Sequence, residues 1–236
     1  MPEICKITYM DVTPLADPAL FADAMSRVPE SRREKASSLR YGESQRLSLG
    51  VGLLLLWALE ERGIDGKKAR ITEGEWGKPY LPDYPSVHFS LSHSGRWAMC
   101  AIGDRPIGCD VEKIGRGSEK LAKRFFHPEE QQALAALIPD TRPEWQREFA
   151  RIWTRKESYL KADGRGISLG MESFSAVTGQ AGIHYSEMDT IDGYAFACCI
   201  RGEDCPNAEW RETKYYSGNP CINTDQSTPP EQLLRL

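Results

Sequence analysis

The sequence is SGRWAMCAI at residues 94–102 and DGYAFACCI at residues 192–200. Each stretch has a tight glycine turn, then an aromatic residue, then a run of small and apolar residues typical of a buried strand. The same turn and strand in two parts of one chain favour an architecture of two similar halves. We therefore predict an α+β fold of two subdomains, at residues 1–104 and 105–213, that share a seam.

The two halves are expected to contain helices and strands in a similar order. In the first half, residue patterns predict a strand at 3–11, helices at 31–40 and 43–62, a loop at 71–85, and strands at 87–92 and 96–102. In the second half they predict helices at 118–126, 128–138 and 143–162, and strands at 107–112, 173–177, 183–186 and 194–200. The tail at 214–236 is rich in Asn, Thr, Ser and Pro, which predicts a polar surface extension.

Composition and charge limit the class of protein. Of the 236 residues, 40% are hydrophobic, which suffices for a core, and the net charge of -4 gives no whole-molecule attraction to nucleic acid or anionic membrane. The longest apolar run, at 53–59, is far shorter than the roughly 20 residues of a membrane span, and the first residues do not resemble a secretory signal. Seven cysteines without CxxC spacing favour reduced core thiols. We expect a cytoplasmic monomer that binds neither nucleic acid nor membrane.

An acidic strand is the strongest local signal. Residues 106–112 are PIGCDVE, and side chains alternate along a strand. Cys109 and Val111 should therefore enter the core, while Asp110 and Glu112 share the opposite face, about 6 to 7 Å apart. Water could solvate this pair at little cost. The two carboxylates could instead hold Mg²⁺, which prefers carboxylate oxygens and leaves its other positions to phosphate and water.

A helix further along the chain carries a second charged group. Residues 153–161 are WTRKESYLK, which places Glu157 and Lys161 one turn apart on the same helical face. On an ordinary helix this spacing is an exposed ion pair beside a core tryptophan. In a catalytic site, Glu157 could bind a metal or accept a proton, and Lys161 could stabilise charge on a phosphate.

Loops and a basic stripe contribute groups that suit an anion. Residues 90–95, SLSHSG, place hydroxyls and His93 at the tip of a strand, and Lys78 lies in a Gly-Lys-Pro loop. Residues 31–46 form a basic stripe that includes Arg32 and Lys35. Each of these is also found on ordinary solvated surfaces. The sequence contains no P-loop, GxSxG or HExxH pattern.

Together and in this order, these segments resemble the 4'-phosphopantetheinyl transferases of the surfactin-synthetase-activating type. The resemblance extends from about residue 32 to residue 174. It consists of GKP at 77–79, FSLSHS at 89–94, GCDVE at 108–112, KRFF at 123–126 and the pattern WxxKExxxK at 153–161. Five ordered matches are far more specific than any one of them.

The resemblance implies a reaction and a fold. Such enzymes move the phosphopantetheine arm of coenzyme A to a serine of an acyl or peptidyl carrier protein, release 3',5'-ADP and require Mg²⁺. Their fold has two similar α+β subdomains related by pseudo-twofold symmetry, and coenzyme A lies in the cleft between them. This agrees with the two halves predicted above.

The resemblance also implies roles for individual residues. The implied metal ligands are Asp110, Glu112 and Glu157. The implied contacts to coenzyme A are Lys161 and Lys78 at the pyrophosphate, His93, Arg32 and Lys35 at the 3'-phosphate, and Ser92 and Pro79 against the nucleotide. Two positions depart from the family pattern: Leu47 stands where relatives can carry a hydroxyl, and Cys109 where an aliphatic residue is usual.

The base that accepts the serine proton is left open. Glu157, or a metal-bound water beside it, is the best candidate, and Glu130 is a second. A carboxylate directly on a metal is a poor base, so Glu157 is not assigned both roles.

Two other functions use the same residues. One is a metal-dependent phosphodiesterase that acts on a nucleotide with water as the nucleophile. The other is a non-catalytic module that binds carrier protein or nucleotide, although such a module does not need the acids and Lys161 together. The resemblance further implies that the carrier contacts residues 113–126, whose basic side chains complement the acidic helix typical of carriers. The basic residues are Lys113, Arg116, Lys120, Lys123 and Arg124.

Overall fold

The computed structural model describes residues 4–137, 142–204, 207–215 and 221–223. The first half contains β1 (Ile4–Asp11), α1 (Pro18–Arg27), α2 (Glu30–Ser38), α3 (Gly42–Glu60), β2 (Thr72–Glu73), β3 (Pro79–Tyr80), β4 (His88–Ser94) and β5 (Trp97–Gly103). The second half contains β6 (Ile107–Lys113), α4 (Glu119–Phe125), α5 (Pro128–Ala135), α6 (Arg142–Asp163), β7 (Ile183–Ile191), β8 (Tyr194–Arg201), β9 (Asn207–Lys214) and β10 (Cys221–Asn223).

The two halves repeat one topology, as their similar hairpins predict. In the first half β5 pairs with β1 on one side and β4 on the other, and in the second half β8 pairs in the same way with β6 and β7. All four pairings are antiparallel. In each half a long helix, α3 or α6, precedes the hairpin and packs against its sheet. The predicted α+β fold with two similar subdomains is confirmed.

The inner faces of the two sheets pack against each other. Trp97 and Met99 of β5 share one buried cluster with Val111 of β6 and Phe196 of β8. The intervening residues of β5, such as Cys100, face the opposite way and pack under α3. Because both faces of β5 and β8 are covered, these strands are continuous apolar runs rather than alternating ones.

The turns of the two hairpins contact each other. Arg96 donates a 2.6 Å hydrogen bond to Asp192 of the opposite turn. Gly95 has φ +55°, and a Cβ at this position would lie 2.0 Å from the Tyr194 hydroxyl. Glycine is therefore needed here both for its backbone angle and for its lack of a side chain.

The two halves also meet where β4 lies beside β6. The hydroxyl of Ser90 accepts a 3.0 Å hydrogen bond from the Cys109 N–H, and the hydroxyl of Ser92 accepts a 3.4 Å hydrogen bond from the Val111 N–H. Alternate serines of β4 thus bond to alternate amides of β6. This contact places β4, which carries Ser92 and His93, beside β6, which carries Asp110 and Glu112.

One predicted strand is wrong. Residues 171–173 form a short 3-10 helix and residues 174–177 are irregular, whereas a strand was expected at 173–177. The reason is that two buried side chains form hydrogen bonds with backbone C=O and N–H groups that would otherwise pair with a neighbouring strand. Lys156 Nζ donates to the Phe174 carbonyl at 2.6 Å, and Glu130 accepts from the Ala176 N–H at 2.6 Å.

Sequence patterns missed α1 and β9. α1 begins at Pro18 and is capped by Asp17, whose side chain accepts from the Ala19 and Leu20 N–H groups. β9 pairs in parallel with β1 and so extends the sheet of the first half, with Trp210 in the buried cluster between the sheets. The division at residue 104 stays a prediction.

Some expectations fall on residues outside those described. They are residue 3 of the first strand, residue 138 of the second-half helix and most of the tail at 214–236. Five cysteines, Cys5, Cys100, Cys109, Cys198 and Cys199, are buried in the core, where the sequence places its thiols. Among the described residues no helix is long and apolar enough to cross a bilayer.

Candidate active site

Asp110 lies at the centre of the site, and its two carboxylate oxygens are in different environments. The residue is only 5% exposed. Its Oδ1 accepts hydrogen bonds from Lys161 Nζ at 2.7 Å and from Ser92 Oγ at 2.8 Å. Its Oδ2 is buried and has no hydrogen-bond partner among the described residues. A buried anionic oxygen without a partner is costly unless something positive binds it.

Lys161 reaches Asp110 because α6 packs directly on β6. A Cβ at Gly108 would lie 2.0 Å from the Ser158 carbonyl oxygen and 2.4 Å from the Ala162 nitrogen, so only glycine allows this approach. Lys161 Nζ also donates to the Cys109 carbonyl at 3.0 Å. Although burial opposes the charge, the Asp110 carboxylate raises the pKa of Lys161 above its usual value, so the ammonium is retained.

Glu112 and Glu157 complete an acidic group with Asp110. Burial, and next to it the negative charge of Asp110, raises the pKa of both glutamates above their usual value. Lys161 opposes the shift at Glu157, whereas Glu112 adds to it. Asp110 on β6 therefore lies close enough to Glu112 and to Glu157 on α6 to destabilise the charge of both glutamates.

These residues fit a divalent cation. No three of the described His, Cys, Asp or Glu side chains are already arranged as a metal site. However, a cation beside Asp110 would bind its unpartnered Oδ2 and offset both the burial and the repulsion from Asp110 that raise the pKa values of Glu112 and Glu157. Carboxylate oxygens are the ligands that Mg²⁺ prefers.

A second positive region surrounds His93. Burial lowers the pKa of this imidazole, and the charges of Lys161, Lys35 and Arg32 lower it further. Arg32 crosses Gly52 of α3, where a Cβ would lie 2.7 Å from Arg32 Cγ. In the described part of the chain Arg32 has no ion-pair partner. Arg32 and Lys35 are thus cations for which the described residues supply no counter-charge, and this suits an anionic ligand.

A cleft of about 260 Å³ opens between the two halves. The β2–β3 hairpin contributes Trp76, Lys78 and Pro79, and α6 contributes Leu160 and Lys161. Lys78 Nζ donates to the Ile107 carbonyl at 3.2 Å and to the Ala162 carbonyl at 3.0 Å. Burial, helped by the nearby Arg201, lowers the pKa of Lys78 to about 8. This lysine thus connects the hairpin of the first half to both elements that carry the acids.

Comparisons with known proteins agree with this geometry. Residues 106–204 match the family model of the 4'-phosphopantetheinyl transferase superfamily. A 4'-phosphopantetheinyl transferase of Bacillus subtilis is 38% identical over 181 residues, which cover 76% of this chain and 78% of the relative. The 4'-phosphopantetheinyl transferase Sfp of Bacillus subtilis strain 168 is 35% identical over 77% of this chain and 86% of the relative.

The chain belongs to the 4'-phosphopantetheinyl transferase superfamily. It is a transferase that moves phosphopantetheine to a carrier protein, and its family uses coenzyme A as a substrate. The predicted family and enzyme class are therefore confirmed, whereas no relative above is named a phosphodiesterase or a non-catalytic module. Among solved structures, a holo-[acyl-carrier-protein] synthase of Thermotoga maritima aligns with 54% of this chain and 86% of that chain, at 18% identity and a TM-score of 0.29, a likeness too weak to add to this conclusion.

One candidate base in the transferase is corrected. Glu130 is fully buried and pairs with Lys156, whose Nζ is 2.7 Å from its Oε2. The same carboxylate accepts from the His127 and Ala176 N–H groups. All of its partners are structural, so Glu130 is not available to take a proton from a substrate.

The structure brings together most of the residues that the sequence singled out. Asp110, Glu112, Glu157 and Lys161 form one group with Ser92, and Lys78 and Pro79 line the adjoining cleft. His93, Arg32 and Lys35 form the second positive region. Sequence reasoning grouped Ser94 with the hydroxyls at the strand tip and missed its contact with Glu112, to whose Oε2 the Ser94 Oγ donates at 3.1 Å. The available signal was the alternation of serines at positions 90, 92 and 94.

Proposed function

We propose that this transferase catalyses Mg²⁺-dependent transfer of 4'-phosphopantetheine from coenzyme A to a serine of an acyl or peptidyl carrier protein, with release of 3',5'-ADP. The observation that carries the proposal is the unpartnered buried Oδ2 of Asp110 beside Lys161 and two carboxylates of raised pKa. This group can bind a cation and a diphosphate at the same place.

Asp110, Glu112 and Glu157 would hold the metal. When bound, Mg²⁺ supplies positive charge that offsets the negative charge of the diphosphate. Lys161 adds a fixed ammonium, which its ion pair with Asp110 keeps charged and oriented. Charge that grows on the leaving phosphate is thereby stabilised by a group already in position.

Coenzyme A would lie in the cleft between the two halves. Its 3'-phosphate would bind the region of His93, Arg32 and Lys35, where the charges of the two cations act on the imidazole. Lys78 would reach the pyrophosphate, and Ser92 and Pro79 would lie against the nucleotide. The cleft has room for a ligand and is lined by Lys78, Pro79 and Lys161.

The chemical step is a displacement at phosphorus. The carrier serine Oγ attacks the phosphorus nearest the pantetheine, the bond from that phosphorus to the bridging oxygen breaks, and 3',5'-ADP leaves. The serine proton passes to a base at the acidic group. Glu157 can be that base only where Asp110 and Glu112 hold the metal without it, because a carboxylate directly on a metal is a poor base. Glu130 is excluded from this role by its burial against Lys156.

The carrier would dock on residues 113–126. Lys120, Lys123 and Arg124 are exposed on or next to α4, which suits an acidic partner. Beside them, an apolar cavity of about 170 Å³ is lined by Leu121, Phe149 and Trp153 and reaches Glu112. A carrier bound here would therefore present its serine next to the acidic group. A monomeric, cytoplasmic enzyme without nucleic-acid or membrane partners stays a prediction from composition.

The experiment is an intact-mass measurement of several purified carriers after incubation with the protein, coenzyme A and Mg²⁺. At least one acyl or peptidyl carrier should gain the phosphopantetheine mass, and the small product should be 3',5'-ADP. Removing Mg²⁺ with a chelator, or replacing Asp110 by Ala, should abolish the gain. Full transfer by the Asp110→Ala variant would exclude the proposed site.

A further inference from the structure

The hydroxyl of Ser92 has only one direction in which it can donate. Its oxygen accepts hydrogen bonds from Lys161 Nζ at 3.0 Å and from the Val111 N–H at 3.4 Å. A serine hydroxyl has two lone pairs and one proton, and neither an ammonium nor an amide N–H can accept that proton. The proton therefore points to Asp110 Oδ1, 2.8 Å away.

This arrangement gives the two carboxylate oxygens of Asp110 different hydrogen-bonding environments. Oδ1 accepts hydrogen bonds from two donors, Ser92 and Lys161, whereas Oδ2 receives none from the part of the chain that the structure describes. Because Asp110 is almost completely buried, its side chain cannot turn to exchange the two oxygens without breaking both bonds. The hydrogen bonds to Oδ1 therefore also fix the position of Oδ2.

Ser94 repeats the arrangement two residues further along β4. Its hydroxyl donates to Glu112 Oε2 at 3.1 Å. The same oxygen accepts from the Lys113 N–H at 3.2 Å and lies 3.7 Å from Arg116 Nη1. Among the described residues, Oε1 of Glu112 receives no hydrogen bond. Side chains two residues apart lie on one face of a strand, so the serines of β4 match the carboxylates of β6 in spacing.

We propose that Ser92 and Ser94 are positioning residues, which bind one oxygen of Asp110 and of Glu112 and so leave the other oxygen of each for a shared cation. The proposal rests on the magnesium site proposed above. It assigns Ser92 a role in addition to its expected contact with the nucleotide, and it assigns Ser94 a first role. Residues that orient metal ligands typically change metal affinity about 10- to 100-fold when they are replaced.

The test measures metal binding without turnover. The full chain is titrated with Mn²⁺, a spectroscopic substitute for Mg²⁺ at oxygen sites, and free Mn²⁺ is followed by electron paramagnetic resonance. Titrations with and without coenzyme A, and always without carrier, compare the wild type with Ser92→Ala, Ser94→Ala and Asp110→Ala. The matched control is Ser90→Ala, because Ser90 lies on the same strand and is as buried but bonds to the Cys109 N–H rather than to a carboxylate.

We expect Mn²⁺ affinity to fall about tenfold or more in Ser92→Ala and Ser94→Ala, and to stay within about twofold in Ser90→Ala. Thermal melting of each variant establishes that it is folded. If Ser92→Ala and Ser94→Ala bind Mn²⁺ as Ser90→Ala does, while Asp110→Ala loses it, the positioning role is overturned and the metal site stands. If the wild type and Asp110→Ala bind Mn²⁺ equally, the metal site itself is wrong, and the positioning role is overturned with it.

Discussion

Lys161, in the last turn of α6, lies 2.7 Å from Asp110 Oδ1 on β6, and this ion pair joins the helix and the strand that carry all three acids. The lysine therefore has two effects at once. It neutralises part of the acidic group, and it fixes the rotation of α6 so that Glu157, one turn earlier, faces the same place.

Replacing Lys161 by Met should reduce transfer by about 100-fold or more, because a preorganised positive group at the diphosphate is lost. The free energy of unfolding should fall by about 1 to 3 kcal/mol, since Asp110 loses a charged hydrogen-bond donor. Single-turnover transfer and urea denaturation measure the two effects. Lys161→Arg restores the charge but not the geometry, and should recover more stability than activity. Equal recovery of both would contradict the proposed role at the phosphate.

The sequence indicated which residues could share a face in the candidate site, but not how the strand and the helix that carry them meet. Alternation along a strand placed Asp110 and Glu112 on one face, and helical spacing placed Glu157 beside Lys161. That α6 contacts β6 closely enough to unite them depends on the missing side chain at Gly108, which is a tertiary effect that no local pattern contains. For the same reason the sequence did not exclude Glu130 as a base, because its partners Lys156 and Ala176 are distant in sequence.

Replacing Gly108 by Ala should test this contact. The new methyl group would meet backbone atoms of Ser158 and Ala162, which cannot move aside as a flexible side chain can. We expect a loss of about 1 to 3 kcal/mol in unfolding free energy, together with a drop in transfer as α6 shifts. The control is Gly179→Ala, where a Cβ would have no neighbour within 4 Å. If both variants unfold at the same denaturant concentration as the wild type, the space between α6 and β6 accommodates a methyl group, and the contact does not require glycine at position 108.

The lowered pKa of Lys78 predicts a pH dependence for the transfer reaction. Burial, with help from Arg201, lowers this pKa to about 8, compared with 10.5 for a free lysine. Lys78 is charged below about pH 8 and loses its charge as the pH rises through that value, so its attraction for the pyrophosphate should disappear in the alkaline range. We expect kcat/KM for coenzyme A, measured between pH 7 and 9.5, to fall through about pH 8.

A Lys78→Arg variant provides the control, since arginine stays charged over this range. Its kcat/KM should be lower than that of the wild type at pH 7 but should change less between pH 7 and 9.5. Identical pH profiles for the two proteins would show that another group causes the alkaline loss.

Breaking the ion pair between Glu130 and Lys156 should destabilise the fold. Both side chains are fully buried, and Lys156 also lies 4.3 Å from the centre of the Phe174 ring. Lys156→Met leaves a buried carboxylate without its counter-charge, and should lower the unfolding free energy by about 3 to 5 kcal/mol. Glu130→Gln with Lys156→Met removes both charges and should be more stable than Lys156→Met alone. Denaturant unfolding measures this, and a double variant as unstable as the sum of the single ones would contradict the pairing.

Charge reversal on α4 should separate carrier docking from coenzyme A binding. Lys120 and Lys123 are exposed and lie outside the cleft, so changing both to Glu should raise KM for an acidic carrier about tenfold or more while leaving coenzyme A affinity nearly unchanged. The matched control changes Lys67 and Lys68, two exposed lysines of the first half, to Glu, which alters the net charge equally. Because the control keeps the charge of the docking surface, its KM for the carrier should stay close to the wild-type value. A similar increase in KM in both proteins would mean that overall charge, and not contact at α4, governs carrier use.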